Sequence, residues 1–75
     1  MAFEATIRKV TRYELHGVLY YQMFLSYAAT PDVINEVRLA HDVVYASPAE
    51  GDVVTVERLL SIVTSVKKKD PEGGI

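Results

Sequence analysis

Apolar and polar side chains alternate at the start of the chain, and the alternation changes phase once. Ala5 and Ile7 alternate with polar residues, which is the period-two pattern of a half-buried β-strand. The next apolar residue is Val10, so the pattern slips by one position. We therefore predict a β-bulge at Arg8 and Lys9, because a bulge inserts one extra residue and turns the following side chains to the opposite face.

A tight turn and a long, aromatic-rich strand follow. Residues 14–17 have turn composition, and Gly17 is free to adopt the positive φ that such turns need. The run Val18–Tyr27 is rich in aromatic and branched side chains, which predicts a second strand. One of its faces carries Leu19, Tyr21, Met23, Leu25 and Tyr27, and the other carries Val18, Tyr20, Gln22, Phe24 and Ser26. Both faces are largely apolar, so another element or a partner must cover the face that is turned away from the core.

The two faces of this strand differ in their polarity. The face with Met23 and Leu25 has an uninterrupted apolar set, which suits a core. The other face includes Gln22 and Ser26, which suit the polar content of an interface. We therefore predict an outward, partner-binding face that consists of Val18, Tyr20, Gln22 and Phe24.

The residues that follow Thr30 admit two interpretations. Thr30 and Pro31 have the pattern of a helix start, a hydroxyl N-cap followed by proline, which predicts a helix over about 31–45 in a ββαββ arrangement of the α+β class. The β-branched residues along the segment favour extended structure, because they lose rotamer freedom in a helix. We prefer a strand at about 33–40 and one short helical turn at 41–45, and the helix remains the alternative.

The last third of the chain predicts two more strands joined by a tight connection. Val54 and Val56 alternate with polar residues in a fourth strand, and residues 62–67 alternate in a fifth. The pattern Gly51-Asp52-x-Val-x-Val before a closing hairpin resembles the last strands of many SH3-like and OB-like barrels. Together, the five segments predict a mainly β fold, a small five-stranded antiparallel barrel or roll with one short helical turn.

Length and composition bound the domain organisation. Seventy-five residues suffice for one small β domain, which we place at residues 1–66, followed by a flexible polar C-terminal tail at 67–75. The absence of cysteine excludes disulfides and thiolate metal sites. The longest apolar stretch is interrupted by Gln22 and Ser26 and is too short for a membrane helix, which needs about 20 residues. Because the start also lacks a signal-peptide pattern, we expect a soluble, cytoplasmic protein without a membrane partner.

The chain lacks the motifs of several catalytic and binding sites. None of its four glycines belongs to a glycine-rich loop that could cradle a phosphate. His41 and Asp42 are the only candidate catalytic pair, but adjacent residues rarely face each other. The other histidine, His16, lies in a predicted turn. Two unrelated histidines do not make a zinc site, and Glu50 and Asp52 offer too few oxygens for calcium. We expect no catalytic residue, no metal and no cofactor, and hence no enzyme.

The charge balance bears on the choice of partner. Ten acidic and eight basic residues give a net charge of −2, which disfavours a dedicated nucleic-acid binder. The second hypothesis is a nucleic-acid-binding small β-barrel, in which Tyr20 and Tyr21 stack on bases. Its phosphate contacts would come from basic residues, namely Arg8, Lys9, Arg12, Lys67, Lys68 and Lys69. A small-ligand pocket is the third. The favoured hypothesis is a non-enzymatic protein–protein interaction module or a structural subunit of a larger assembly, which binds a protein partner or associates with itself.

Overall fold

The computed structural model describes residues 1–69, and these form one antiparallel sheet. Its elements are β1 (Ala2–Leu15), β2 (Val18–Tyr27), β3 (Asn35–Ala40), a 3-10 turn (His41–Val43), β4 (Val53–Leu59) and β5 (Ile62–Lys68). The five strands are ordered β3-β2-β1-β4-β5, so β3 and β5 form the edges. The prediction of a mainly β fold with five antiparallel strands and almost no helix is confirmed. The sheet is not closed, because no ladder joins β3 to β5, and a barrel is therefore not confirmed.

The predicted β-bulge in β1 is present and divides the strand into two halves. Ile7 and Lys9 pair with consecutive residues of β2, so Arg8 is the extra residue. Before the bulge β1 pairs with both β2 and β4, and after it β1 pairs with β2 alone. Val10 packs against the core from the far side of the bulge, as the slipped alternation in the sequence requires.

A two-residue turn joins β1 to β2. His16 and Gly17 have φ values of 53° and 79°, and positive φ at both central residues is what a type I′ turn requires. The turn fixes the register of the hairpin, in which Tyr13 lies opposite Tyr20.

The segment after β2 is extended, and the alternative of a helix over 31–45 is wrong. β3 spans Asn35–Ala40 against β2, and only His41–Val43 is helical in this segment. The strand begins later than expected because the chain first turns, with the Val33 amide donating to the Thr30 carbonyl at 3.0 Å. The β-branched composition therefore outweighs the helix-start pattern, which serves here as a turn.

One face of the sheet carries the core. Met23 and Leu25 of β2 are fully buried on that face, which is the face that the apolar alternation predicts. The buried apolar residues are Ala5, Ile7, Met23, Leu25, Leu39, Val54, Val56 and Val66. They come from all five strands, so each strand is needed to enclose so small a core.

The 3-10 turn carries the chain from β3 across to β5. Val44, just after the turn, forms a single parallel bridge with Val66. The Tyr45 amide donates to the Val66 carbonyl at 3.1 Å. This short contact covers part of the β5 edge and connects the two edges of the sheet without a ladder.

The last strand includes the first residues of the expected tail, and the domain boundary at residue 66 stays a prediction. The strand runs to Lys68, and the Lys69 amide donates to the Val53 carbonyl at 3.0 Å. The Lys69 ammonium also forms an ion pair with Glu4. The rest of the expected tail, 70–75, lies outside the described residues.

A hydrogen-bonded carboxylate holds the loop that leads into β4. The Tyr45 hydroxyl donates to Asp52 Oδ2 at 2.5 Å, and the Ala49 amide donates to the same oxygen at 3.2 Å. The bond from Tyr45 is the main reason that the pKa of Asp52 lies below its ordinary value. The loop is joined to the bulge of β1, because the Ile7 amide donates to the Asp52 carbonyl at 2.9 Å and the Gly51 amide donates to the Ile7 carbonyl at 2.7 Å.

Shortening Met23 should strongly destabilise the protein. Met23→Ala removes most of a fully buried side chain, and such deletions lower the free energy of unfolding by about 2–5 kcal/mol. Urea denaturation followed by circular dichroism measures the loss. Gln22→Ala, on the opposite face of the same strand, is the matched control, with an expected change below about 1 kcal/mol. Equal losses for the two variants would contradict the assignment of the faces.

Asp52→Asn should reduce the acid dependence of stability. A carboxyl whose pKa is lowered in the folded state stabilises the fold above its unfolded pKa of about 4, and this contribution is lost as the pH falls through the lower folded value. Below about pH 4, we therefore expect the urea midpoint to fall more steeply for the wild type than for the variant. Parallel pH profiles would mean that the bond from Tyr45 does not stabilise the loop.

Candidate interaction surface

The outward residues of β2 lie in the middle of a three-stranded surface. Val18, Tyr20, Gln22 and Phe24 are half-buried or exposed, on the side of β2 opposite to Met23. Their cross-strand neighbours on this side are Leu15, Tyr13, Thr11 and Lys9 of β1, and Ala40, Arg38 and Glu36 of β3. We call all of these residues the outer face. That the outer face binds a partner stays a prediction.

The end of the outer face near the β1–β2 turn is aromatic and apolar. The rings of Tyr13 and Tyr20 are stacked, with centroids 5.6 Å apart and planes inclined by 16°. Because the two residues are directly opposite in register, the sheet holds the rings at a fixed spacing. Leu15 and Val18 form the next pair towards the turn, and both are exposed. These four side chains make a preformed apolar patch.

The β3 side of the outer face is polar. Gln22 Nε2 donates to Glu36 Oε2, and Arg38 Nε donates to the same oxygen at 3.1 Å. These bonds hold the pKa of Glu36 below its ordinary value, and the bond from Gln22 contributes most. Phe24 lies between Glu36 and Lys9 in register. The apolar residues are thus bordered by charges of both signs.

Most of the outer face has no other element above it within residues 1–69. This part of the chain contains one sheet and a single 3-10 turn, and that turn leads to the β5 edge. The turn after β2 reaches this side of the sheet at Ser26, which is buried and whose hydroxyl donates to the Pro31 carbonyl at 2.7 Å. The accessible parts of Tyr20 and Phe24 therefore face solvent in the described structure.

The structure places both histidines at exposed positions. His16 lies in the β1–β2 turn, and His41 and Asp42 lie in the 3-10 turn. No group of three His, Asp or Glu side chains that could hold a metal forms among residues 1–69. The absence of catalytic residues, metal and cofactor stays a prediction.

Three shallow concavities on the surface have volumes of about 300, 340 and 410 Å³, and Tyr13 of the outer face lines the third. The first is bordered by Val10, Arg12 and Tyr21 beneath the loop at Pro48. A small-ligand site needs an enclosed apolar cavity with a few convergent polar groups. These concavities lack that enclosure, so they do not compete with the outer face as the candidate site.

A second apolar surface lies at the β4–β5 turn, which the sequence interpretation treated only as a tight connection. Leu59, Leu60 and Ile62 are all exposed, and Leu60 is 90% exposed. Leu60 also has a φ of 59°, in the left-handed region that costs a residue with a Cβ about 1–2 kcal/mol. The sequence does indicate this exposed surface, since large apolar residues occupy a turn where glycine or asparagine is usual.

Arg58 packs on two aromatic rings, a contact that the sequence interpretation missed. Its guanidinium lies 5.0 Å from the ring centre of Phe3 and 5.5 Å from that of Tyr27, a cation–π arrangement. The Met1 ammonium donates to the Arg58 carbonyl at 2.9 Å. A register shift between Glu57 and Arg58 accompanies this packing, and simple alternation along β4 does not indicate it.

Comparison with known proteins identifies no relative, because no protein-family model, curated protein or solved structure matches this chain. Among the described residues, no helix has the length and apolarity to cross a membrane. Function is therefore inferred from the residues of the outer face.

Relieving the strained β4–β5 turn should stabilise the protein. Leu60→Gly removes the Cβ at a positive φ, so we expect the free energy of unfolding to rise by about 0.5–1 kcal/mol. The control is Ser61→Gly, since the φ of Ser61 is not positive and glycine there only increases the entropy of the unfolded chain. Urea midpoints compare the two variants. A loss of stability from Leu60→Gly as large as that from the control would show that the turn is not strained.

Proposed function

We propose that the protein is a non-enzymatic protein–protein interaction module or a structural subunit of a larger assembly, and that the outer face is its docking surface. The observation that carries the proposal is the stacked Tyr13–Tyr20 pair beside exposed Leu15 and Val18. Exposed apolar surface of this kind is typical of interaction sites. The lack of cysteine suits a reducing compartment, so we place this function in the cytoplasm.

The stacked pair has the properties of an interface anchor. A tyrosine ring buries a large apolar area while its hydroxyl finds a polar partner, and tyrosine is enriched among residues that dominate binding energy. Because Tyr13 and Tyr20 are already packed on each other and held by two paired strands, little side-chain freedom remains to be lost on binding. Gln22 and the charges of Glu36 and Arg38 supply a polar border.

Nucleic-acid binding is the second candidate, because stacked tyrosines can also receive bases. Lys9 and Arg38 are the cations of the outer face, and Arg38 is already paired with Glu36 at 3.0 Å. Among residues 1–69, Lys9 is the one cation of this face outside an ion pair, and the chain has a net charge of −2, so the attraction for phosphates is small. This charge pattern favours a protein partner.

Tyr20→Glu and Phe24→Glu should abolish partner binding and leave the monomer folded. Each places a charge in the centre of the outer face, and loss of such an anchor costs about 2 kcal/mol or more, which is about a 30-fold loss of affinity. The tagged protein is used to capture partners from nuclease-treated lysate. Each captured protein is then purified, and its affinity for the wild type and the variants is measured by calorimetry. Circular dichroism checks that the variants fold.

Ile62→Glu is the matched control, because it places the same charge on an exposed apolar residue of β5, outside the outer face. The proposal requires this variant to bind like the wild type. Partners that bind all variants equally would overturn the outer face as the docking surface. Direct binding of single-stranded nucleic acid that Tyr20→Glu abolishes would favour the second candidate.

A further inference from the structure

β3 forms one edge of the sheet, and part of it approaches β5. It pairs with β2 on one side, and within residues 1–69 no backbone hydrogen bond reaches its other side. The β5 edge is different, because Val44 and Tyr45 contact it at Val66. A free strand edge presents unpaired amide and carbonyl groups and can template another strand.

The charges of β3 are arranged for pairing with an identical strand. Glu36 and Arg38 flank Val37 and both belong to the outer face. In an antiparallel pair of two copies with the two-fold axis at Val37, Glu36 of each copy lies opposite Arg38 of the other. Opposite charges at directly opposed positions stabilise a strand pair, and like charges destabilise it.

Every other register of the same pair lacks the attraction between Glu36 and Arg38, and two of them are repulsive. Centring the axis on Arg38 places the two Arg38 side chains opposite each other, and centring it on Glu36 does the same for the two carboxylates. An axis placed between two residues would set core-facing side chains opposite outer-facing ones. The charge pattern therefore selects the register that is centred on Val37.

From these features, we propose that β3 pairs antiparallel with β3 of a second copy of the chain, about a two-fold axis at Val37. Glu36 can bond both copies, because Gln22 and Arg38 of its own chain both donate to Oε2. Within residues 1–69 no group donates to Oε1, so Oε1 can accept from Arg38 of the second copy. Ile34, which is half-exposed, gains Ala40 of the second copy as its neighbour in this register.

The pairing would make one continuous sheet from the two copies. A two-fold axis normal to the sheet keeps both outer faces on the same side. The two Tyr13–Tyr20 pairs would then be presented together, so a partner could engage both. The inference itself stands on the β3 edge and does not depend on the proposed function.

A charge exchange tests the register. Glu36→Arg alone and Arg38→Glu alone each place like charges opposite one another in a homodimer, so each variant should dimerise at least about ten-fold more weakly than the wild type. An equimolar mixture of the two variants restores both attractive pairs. Light scattering across a dilution series should therefore give a mass near twice 8.4 kDa for the wild type and for the mixture, and near 8.4 kDa for each variant alone.

Cysteine cross-linking tests the axis directly, since the chain contains no cysteine of its own. In the proposed register the two copies of residue 37 are directly opposed, at a separation of about 5 Å that a disulfide can span. Val37→Cys should therefore form a covalent dimer under mild oxidation. Arg38→Cys is the control, because diagonal positions lie about 7–8 Å apart, and it should cross-link much less.

Three results would overturn the inference. The first is a wild type that stays monomeric at millimolar concentration. The second is a dimer that neither charge variant weakens, or a mixture that remains monomeric although both variants are folded. The third is a dimer that Tyr20→Glu abolishes and the charge variants leave intact, which would assign self-association to the outer face. Failure of partner capture by the outer face, with charge-dependent dimerisation retained, would instead overturn only the proposed function.

Discussion

The β-bulge at Arg8 is the constraint on which the rest of the structure depends. If β1 alternated regularly without a bulge, Lys9 would lie on the core face with Ile7, and Val10 would point outwards. With it, Val10 packs on the core and Lys9 takes its place beside Phe24 on the outer face. The β4 ladder has its last pair at residue 6 of β1, so the Ile7 peptide groups are available to bond the loop that contains Asp52. One inserted residue thus sets the core, the outer face and the loop attachment together.

Local pattern predicts the strands well because each depends on the period of its own side chains. The slip before Val10 indicates the bulge, and the alternation through Val18–Tyr27 gives the bounds and the buried face of β2. The pattern at Thr30 misleads, since a hydroxyl followed by proline also starts a turn. Whether the sheet closes into a barrel depends on contacts between distant residues, such as Val44 with Val66. The period of side chains along a strand does not encode such contacts.

The outer face, too, can be predicted only in part from local alternation. Alternation alone assigns Tyr20 and Phe24 to the side away from the core, because a strand has only two faces. Their neighbours cannot be obtained in this way, since the Tyr13–Tyr20 stack requires the turn register and the contact with Glu36 requires β3 as the adjacent strand. The exposed Leu60 and the packing of Arg58 are further examples, in which a turn conformation and a register shift decide where a side chain points.

The outer face and the β3 edge share one carboxylate. Glu36 accepts from Gln22, which belongs to the predicted partner-binding residues, and from Arg38, which lies on the edge strand. A ligand that withdraws Gln22 from Glu36 removes the bond that contributes most to the lowered pKa of that carboxylate. Within residues 1–69, Arg38 is then its remaining donor. Such a ligand would therefore alter the charge pair that would hold two copies together. By thermodynamic linkage the reverse is also required, so docking on the face and pairing at the edge would act on each other through Glu36.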